Sequence, residues 1–362
     1  MQSQPLFGKG WKMSERTAEG YDISAVEQWV AENVPELTPP FEWERQEGGH
    51  SNLTYRLKDQ AGKLAVIRRP PQGELLPKAH DMSREWALIS SLGATGFPVP
   101  AAYSFCESNE VTGAWFYVMG HVEGRPLHNA QQTLDWVPED QRVTLAHSLI
   151  DTLADLHVLN PDKIGLGELG KKEGYVARQL KTWYRSWTAS IEPAQYDDVR
   201  AHDLHHYFVD NIPEQGMARI VHGDYGFHNC LVNVNSTVAA VVDWELASLG
   251  DPLADLGYTL NMFPESQADV DADPEMSTSL PGFPPRSALA ARYAERTGRI
   301  LDKLDYYRGF NYWKRAGIIH GVYARYMAGQ KSTDGVDLGG LPKAIDRSLE
   351  LAQQAVARLG AK

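Results

Sequence analysis

Residues 222–245, HGDYGFHNCLVNVNSTVAAVVDWE, constrain this chain more than any other stretch. Asp224 is followed five residues on by Asn229, then by two β-type runs, CLVNV at 230–234 and VAAVVDW at 238–244. Asn235 and Ser236 are turn residues between the runs, which therefore read as a hairpin with Asp243 at the end of its second strand. One carboxylate to accept the proton of an attacking hydroxyl, and an amide oxygen plus a second carboxylate to hold Mg²⁺ against phosphates, is the layout phosphoryl transfer needs. The plainer alternative is an Asp-Tyr-Gly turn and a strand-end aspartate that caps the next helix. It accounts for each element singly but not for all of them in this order.

A chain of 362 residues is long for one hydrophobic core, so two lobes are expected. The net charge of −12, with no basic patch, argues against nucleic-acid binding. Cys106 and Cys230 lie far apart, each in a predicted strand, and read as buried thiols. The first residues lack the apolar core of a signal peptide, and no stretch approaches the ~20 apolar residues of a membrane span. A cytoplasmic protein without membrane or nucleic-acid partners is expected.

In the first third, Ser24 and Glu27 have capping-box spacing ahead of a helix whose apolar face is Val26, Trp29 and Val30. Three β-type runs follow, around 41–46, at 52–58 and at 64–69. Gly48, Gly49, His50, Ser51 and Asn52 form a glycine-bearing turn between the first two, where backbone N–H groups can approach phosphates. The third run, LAVIRR, ends in Arg68 and Arg69, which alternation sends to opposite faces. Arg68 follows the apolar run as the lysine of V-A-I-K does, and is the expected nucleotide-facing cation. Glu85, early in an amphipathic helix beginning near Asp81, is its expected partner. Strands at 96–106 and 114–122 complete a small lobe, and the stretch from Met119 to His121 would offer main-chain groups to a nucleotide base.

From Pro138 the chain reads as helix. Val143, Ala146, Leu149, Ile150, Leu153 and Leu156 mark a long core-facing helix, with His147 and His157 as packing or surface residues. His202, His205 and His206 read as a solvated helix rather than a metal site. Asp251, before Pro252, is an expected helix cap, and Asp255 a support for the 222–245 loop. The acidic, proline-rich segment 264–285 reads as a long loop, a lid or a substrate wall. Helices are expected at 286–298, 302–329 and 343–360, with the aromatics between Tyr306 and Tyr326 building core.

VHGDYGFHNCLV, VVDWE and GDPLADLGY resemble the aminoglycoside phosphotransferase family of kinase-like enzymes. Within it, IRRPPQGELLPKAHDMSREW and FYVMGHVEGRPL resemble the phosphotransferase-like domains fused to some acyl-CoA dehydrogenases. The resemblance implies an α+β, protein-kinase-like fold of two lobes. Residues 1–120 would form a nucleotide-binding lobe with an antiparallel sheet, and 121–362 a helical lobe with the acceptor site. It implies Asp224 as catalytic base, His222 as loop support, Asn229 and Asp243 as Mg²⁺ ligands, and ATP or GTP as phosphoryl donor. Arg68 departs from the lysine of the wider family. The implied activity is transfer to a hydroxyl of a small molecule, with a hydroxyacyl-CoA or related metabolite as the implied acceptor. The alternatives are an antibiotic kinase and a nucleotide-binding pseudokinase.

Overall fold

The computed structural model describes residues 18–46, 52–72 and 81–360. Gly48, Gly49 and Ser51 lie outside them. The described residues form two compact units: one reaches Ser90 and adds Pro100–His121, and the other joins Ser91–Val99 to the chain from Val122 onward.

In the first unit, α1 (Ile23–Asn33) is capped by Asp22, whose carboxylate accepts from Ala25 N–H at 3.0 Å. The cap is thus two residues earlier than the predicted Ser24. Strands β1 (Glu42–Arg45), β2 (Leu53–Lys58) and β3 (Leu64–Arg69) follow, then α2 (Met82–Gly93), β4 (Ala102–Cys106) and β5 (Phe116–Gly120). The five strands form an antiparallel sheet in the order β1-β2-β3-β5-β4. β4 starts later than predicted, because Pro98 and Pro100 cannot donate to a ladder, and β5 is trimmed at both ends. Val26 and Val30 of α1 share one buried cluster with Leu57, Ile67, Phe116 and Val118. Strict alternation on β3 buries Ala65, Ile67 and Arg69 and turns Arg68 to the other face.

The second unit begins its helices with α3 (Ala130–Trp136) and α4 (Arg142–Val158). On α4 Leu145, Ala146, Leu149, Ile150, Leu153 and Leu156 are buried, whereas Val143, expected on that face, is exposed one turn from the start. Next come α5 (Tyr175–Ala194), α6 (Val199–Asp210), β6 (Arg219–Val221), β7 (Cys230–Val232), β8 (Val238–Val241) and β9 (Ser248–Gly250). β7 and β8 form the predicted hairpin, its turn made by Ser236 at φ 56°. Helices α7 (Pro252–Leu260), α8 (Gln267–Ala272), α9 (Arg286–Thr297), α10 (Leu304–Met327) and α11 (Gly340–Gly360) complete the unit. Segment 264–285 is therefore not wholly loop: α8 interrupts it. Similarly, α11 starts at Gly340, because Pro342 falls in its first turn, where a missing N–H costs nothing.

Tyr306, Tyr307, Phe310 and Trp313 of α10 are buried against α5, α6 and α11. Their polar atoms are satisfied: Tyr306 Oη donates to Phe208 O at 2.6 Å and Trp313 Nε1 to Ala201 O at 2.9 Å. Both cysteines are buried free thiols. Among the described residues no helix is long and apolar enough to cross a membrane.

Candidate active site

The hairpin does the local positioning. Val242 N–H donates to Asn229 O at 3.0 Å, so Asp243, next in sequence, is held beside the 3-10 turn that ends in Asn229 just ahead of β7. The His222 ring, fully buried, reaches across to Val242 O from Nε2 at 3.0 Å. The segment before the hairpin is thereby tied to its second strand. Burial pushes the His222 imidazole below its ordinary value, so the ring is neutral at pH 7.

Gly223 sits at φ +86°, and a Cβ there would lie 3.0 Å from Leu246 O, so backbone freedom and close approach both require glycine. The His222 and Gly223 N–H groups donate to the two oxygens of buried Asp255 at 2.5 and 2.9 Å. Asp251 caps α7 by accepting from Leu253 N–H at 3.1 Å and also accepts from Tyr307 Oη at 2.6 Å. The helix that presents Asp255 is therefore anchored at its first turn.

Asp224 emerges from this frame with both oxygens engaged. Asn229 Nδ2 donates to its main-chain oxygen at 2.9 Å and to Oδ2 at 3.1 Å. His228 Nε2 lies 3.1 Å from Oδ1, which also accepts from Tyr258 Oη. Burial alone would raise the Asp224 carboxyl, but His228 and Tyr258 outweigh it and hold the group well below the usual carboxylate range. The His228 ring folds back over Gly226, where a Cβ would fall 2.7 Å from its Cε1, so only glycine leaves room for it.

Neither His228 nor Tyr258 was singled out in the sequence. Tyr258 carried a readable signal: it lies three residues after Asp255 on α7, the spacing of one helix face. Lys314, also not foreseen, is buried behind the loop with Nζ 3.4 Å from Gly223 O.

Asp224, His228 and Tyr258 line a cavity of about 700 Å³ that lies wholly within the second unit. Segment 264–285 forms one wall of it, through residues such as Asp273 and Met276.

In the first unit, Arg68 Nε lies 3.0 Å from Glu85 Oε2, with the carboxylate 3% exposed and the guanidinium 15%. Tyr117 Oη donates to the same oxygen at 2.8 Å, and Asn52 Nδ2 to Oε1 at 3.2 Å. Arg69 instead donates to the carbonyls of Gly20, Thr112 and Pro70. The two arginines thus separate into a carboxylate-paired one and one that ties main chain. Met119, buried in β5, is flanked by Val66 and Ala102, and half-buried His121 follows the strand. His202, His205 and His206 bind no common centre: His202 bridges Tyr184 and Asp197, and His205 stacks on Tyr184 at 3.7 Å.

The model of the phosphotransferase enzyme family matches residues 42–306, well over half of the chain. The chain belongs to the phosphotransferase enzyme family. Its two-unit architecture, an antiparallel sheet unit and a helical unit, is the protein-kinase-like fold, and this phosphotransferase acts on a hydroxyl acceptor.

Acyl-CoA dehydrogenase family member 11 of Pongo abelii is 31% identical over 329 residues, which take in 89% of this chain and 41% of that protein. The phosphotransferase thus spans about two fifths of the curated relatives it matches. A solved structure from Ralstonia eutropha JMP134, named as an aminoglycoside phosphotransferase, is 27% identical with a TM-score of 0.77, covering 92% of this chain and 99% of its own. A thermostable aminoglycoside phosphotransferase mutant, in ternary complex with AMP-PNP and hygromycin B, shares the fold at 15% identity and a TM-score of 0.53, covering 90% and 98%.

Proposed function

We propose that this phosphotransferase moves the γ-phosphate of ATP, or of GTP, to a hydroxyl of a small metabolite, with hydroxyacyl-CoA compounds as the leading acceptor class. The observation that carries the reading is Asp224, on the wall of an acceptor-sized cavity, linked through Asn229 to the strand that presents Asp243. That an acyl-CoA dehydrogenase family member matches 89% of the chain supports the acceptor class.

The donor set suits Mg²⁺. Asn229 turns its amide nitrogen onto Asp224, which leaves its oxygen as the free end of the amide, and Asp243 supplies a carboxylate. Among the described residues no three His, Cys, Asp or Glu side chains are grouped as a cage, and Mg²⁺ asks for only one or two carboxylates beside substrate phosphates and water. When bound, the ion would neutralise charge on the phosphates; Asn229 and Asp243 would hold it.

Asp224 orients the acceptor hydroxyl. As its oxygen bonds to the γ-phosphorus, the bond from phosphorus to the bridging oxygen breaks, and the nucleoside diphosphate leaves with the electron pair. The hydroxyl proton passes to Asp224. A carboxylate held by three donors is a weak base, so this transfer comes late, when bonding to phosphorus has made the hydroxyl acidic. Arg68, held by Glu85, brings its guanidinium charge to the α- and β-phosphates.

Nucleotide-dependent phosphorylation across hydroxyacyl-CoAs, free hydroxy acids, sugars, aminoglycosides and macrolides tests the reading, with Asp224→Asn as control. Transfer to one class, lost in the control, is expected. Nucleotide binding without transfer to any class would favour a pseudokinase.

A further inference from the structure

The cavity beside Asp224 has a charge pattern that its catalytic wall does not explain. Helices α10 and α11 present arginines into it: Arg308 and Arg315, seven residues apart on one face of α10, and Arg347 and Arg358 on α11. Arg308 lies 2.8 Å from Asp305, which Arg358 shares at 3.4 Å, and Arg347 reaches Glu350 at 3.3 Å. On the facing wall Arg286 is paired with Asp269 at 2.9 Å.

Arg315 differs. Among the described residues it has no carboxylate in ion-pair contact, and it is exposed into the cavity that Asp224 also lines. Its charge is felt at the Tyr258 phenol, the group that donates to Asp224. The lining also carries apolar side chains, Leu127, Met262, Phe263, Met276 and Leu351, among polar ones such as Asn261 and Gln354.

A cavity with a proton acceptor, apolar side chains and an uncommitted guanidinium matches a molecule with a hydroxyl, a hydrocarbon segment and an anion. Resting on the phosphotransfer reading above, we propose that the acceptor is an amphiphilic hydroxy compound bearing a carboxylate or phosphate, and that Arg315 seats that anion. A polycationic aminoglycoside would instead meet like charge along α10 and α11, which costs binding where the charges are desolvated. The acidic side chains Asp273 and Glu275 sit in segment 264–285. On the helical wall Arg308, Arg358 and Arg347 are matched by Asp305 and Glu350, so the charge left uncompensated by an ion pair among the described residues is that of Arg315.

The test uses hydroxydecanoate, its uncharged methyl ester, its coenzyme A thioester, coenzyme A alone and kanamycin, titrated calorimetrically into the full-length Asp224→Asn protein at low and high salt. Wild type and Arg315→Gln and Arg315→Lys variants are then assayed kinetically. A charged probe should bind at least about tenfold tighter than the methyl ester, and more weakly at high salt, as expected for a charge-assisted contact. The free acid binding best assigns the anion to the carboxylate; the thioester or coenzyme A binding best assigns it to phosphate. Arg315→Gln should raise the acceptor KM by about tenfold or more with a smaller fall in kcat, and Arg315→Lys should recover part of the loss.

Equal binding of ester and charged probes, preference for kanamycin, or a KM within about twofold in Arg315→Gln overturns the assignment. Charged probes that bind without ever being phosphorylated by the wild type would overturn the phosphotransfer reading and leave the anion site standing.

Discussion

Asn229 donates from one nitrogen to both the main-chain oxygen and the carboxylate of Asp224, at 2.9 and 3.1 Å. A single side chain therefore fixes the Asp224 carboxylate and, by the same rotation, aims its own oxygen away from it.

Replacing Asp224 with Asn puts an amide where three donors converge and removes the proton acceptor. Turnover should fall by about 10²–10⁴-fold, the usual worth of a positioned acid–base group. Nucleotide affinity, measured by calorimetry, should change by less than about threefold. Retained turnover would refute the assignment of Asp224.

Asp243 occupies left-handed backbone at φ 64°, a conformation asparagine accepts more readily than other side chains. Asp243→Asn should therefore fold normally while losing the ligand charge. Mg-ATP affinity is expected to drop about tenfold or more, with metal-free ATP binding little altered. Equal Mg-ATP affinity in the two proteins would count against Asp243 as a ligand.

Glu85→Ala would remove the buried carboxylate that lies 3.0 Å from the Arg68 guanidinium and accepts from Tyr117 and Asn52. Removing one partner of a buried pair costs about 3–5 kcal/mol. The urea midpoint should fall accordingly, and the double variant Glu85→Ala with Arg68→Met should recover much of the loss. A stability loss below about 1 kcal/mol in the single variant would show the pair to be energetically idle.

Acid should destabilise the second unit early. Burial lowers the pKa of His157 and of His222, so both stay neutral in the fold while the unfolded chain takes up protons below its ordinary value of about 6.5. Their stabilisation is complete above that pH and is lost as pH falls through it, by roughly 1.4 kcal/mol per histidine per pH unit. Burial raises Asp255, but the hydrogen-bonding contacts from His157 and the Gly223 N–H outweigh it and leave its pKa below the ordinary value. Its own contribution is lost only lower, as pH falls below the unfolded carboxyl value. With His157 neutral, its 3.5 Å approach to Asp255 is a weak polar contact rather than an ion pair. Urea midpoints between about pH 7 and pH 5 should decline, and His157→Gln should flatten the slope. A flat profile in the wild type would contradict the buried neutral histidines.

Local pattern determined much of this protein. The hairpin that carries Asp243 back to Asn229 follows from two β-type runs and a short turn within residues 233–237, because strand pairing across a tight turn is decided by neighbours in sequence. Arg68 and Arg69 separate to opposite faces because strand side chains alternate, and Asp251 caps α7 because a short carboxylate before Pro252 reaches the next free N–H.

Other features needed the folded chain. Tyr258 meets Asp224 across 34 residues, and His157 meets Tyr293 across 136. The arginines of α10 and α11 become one wall only when those helices pack side by side; no periodicity in either helix announces the other. Segment 264–285 reads as a loop, since prolines and acidic residues carry no apolar period, yet it is ordered as a cavity wall through buried Ser277, Thr278 and Ser279. Sequence spacing therefore determined the catalytic segment, whose parts are neighbours along the chain. The cavity and its charge were decided by tertiary packing, which alone brings together side chains from Leu127 to Arg358.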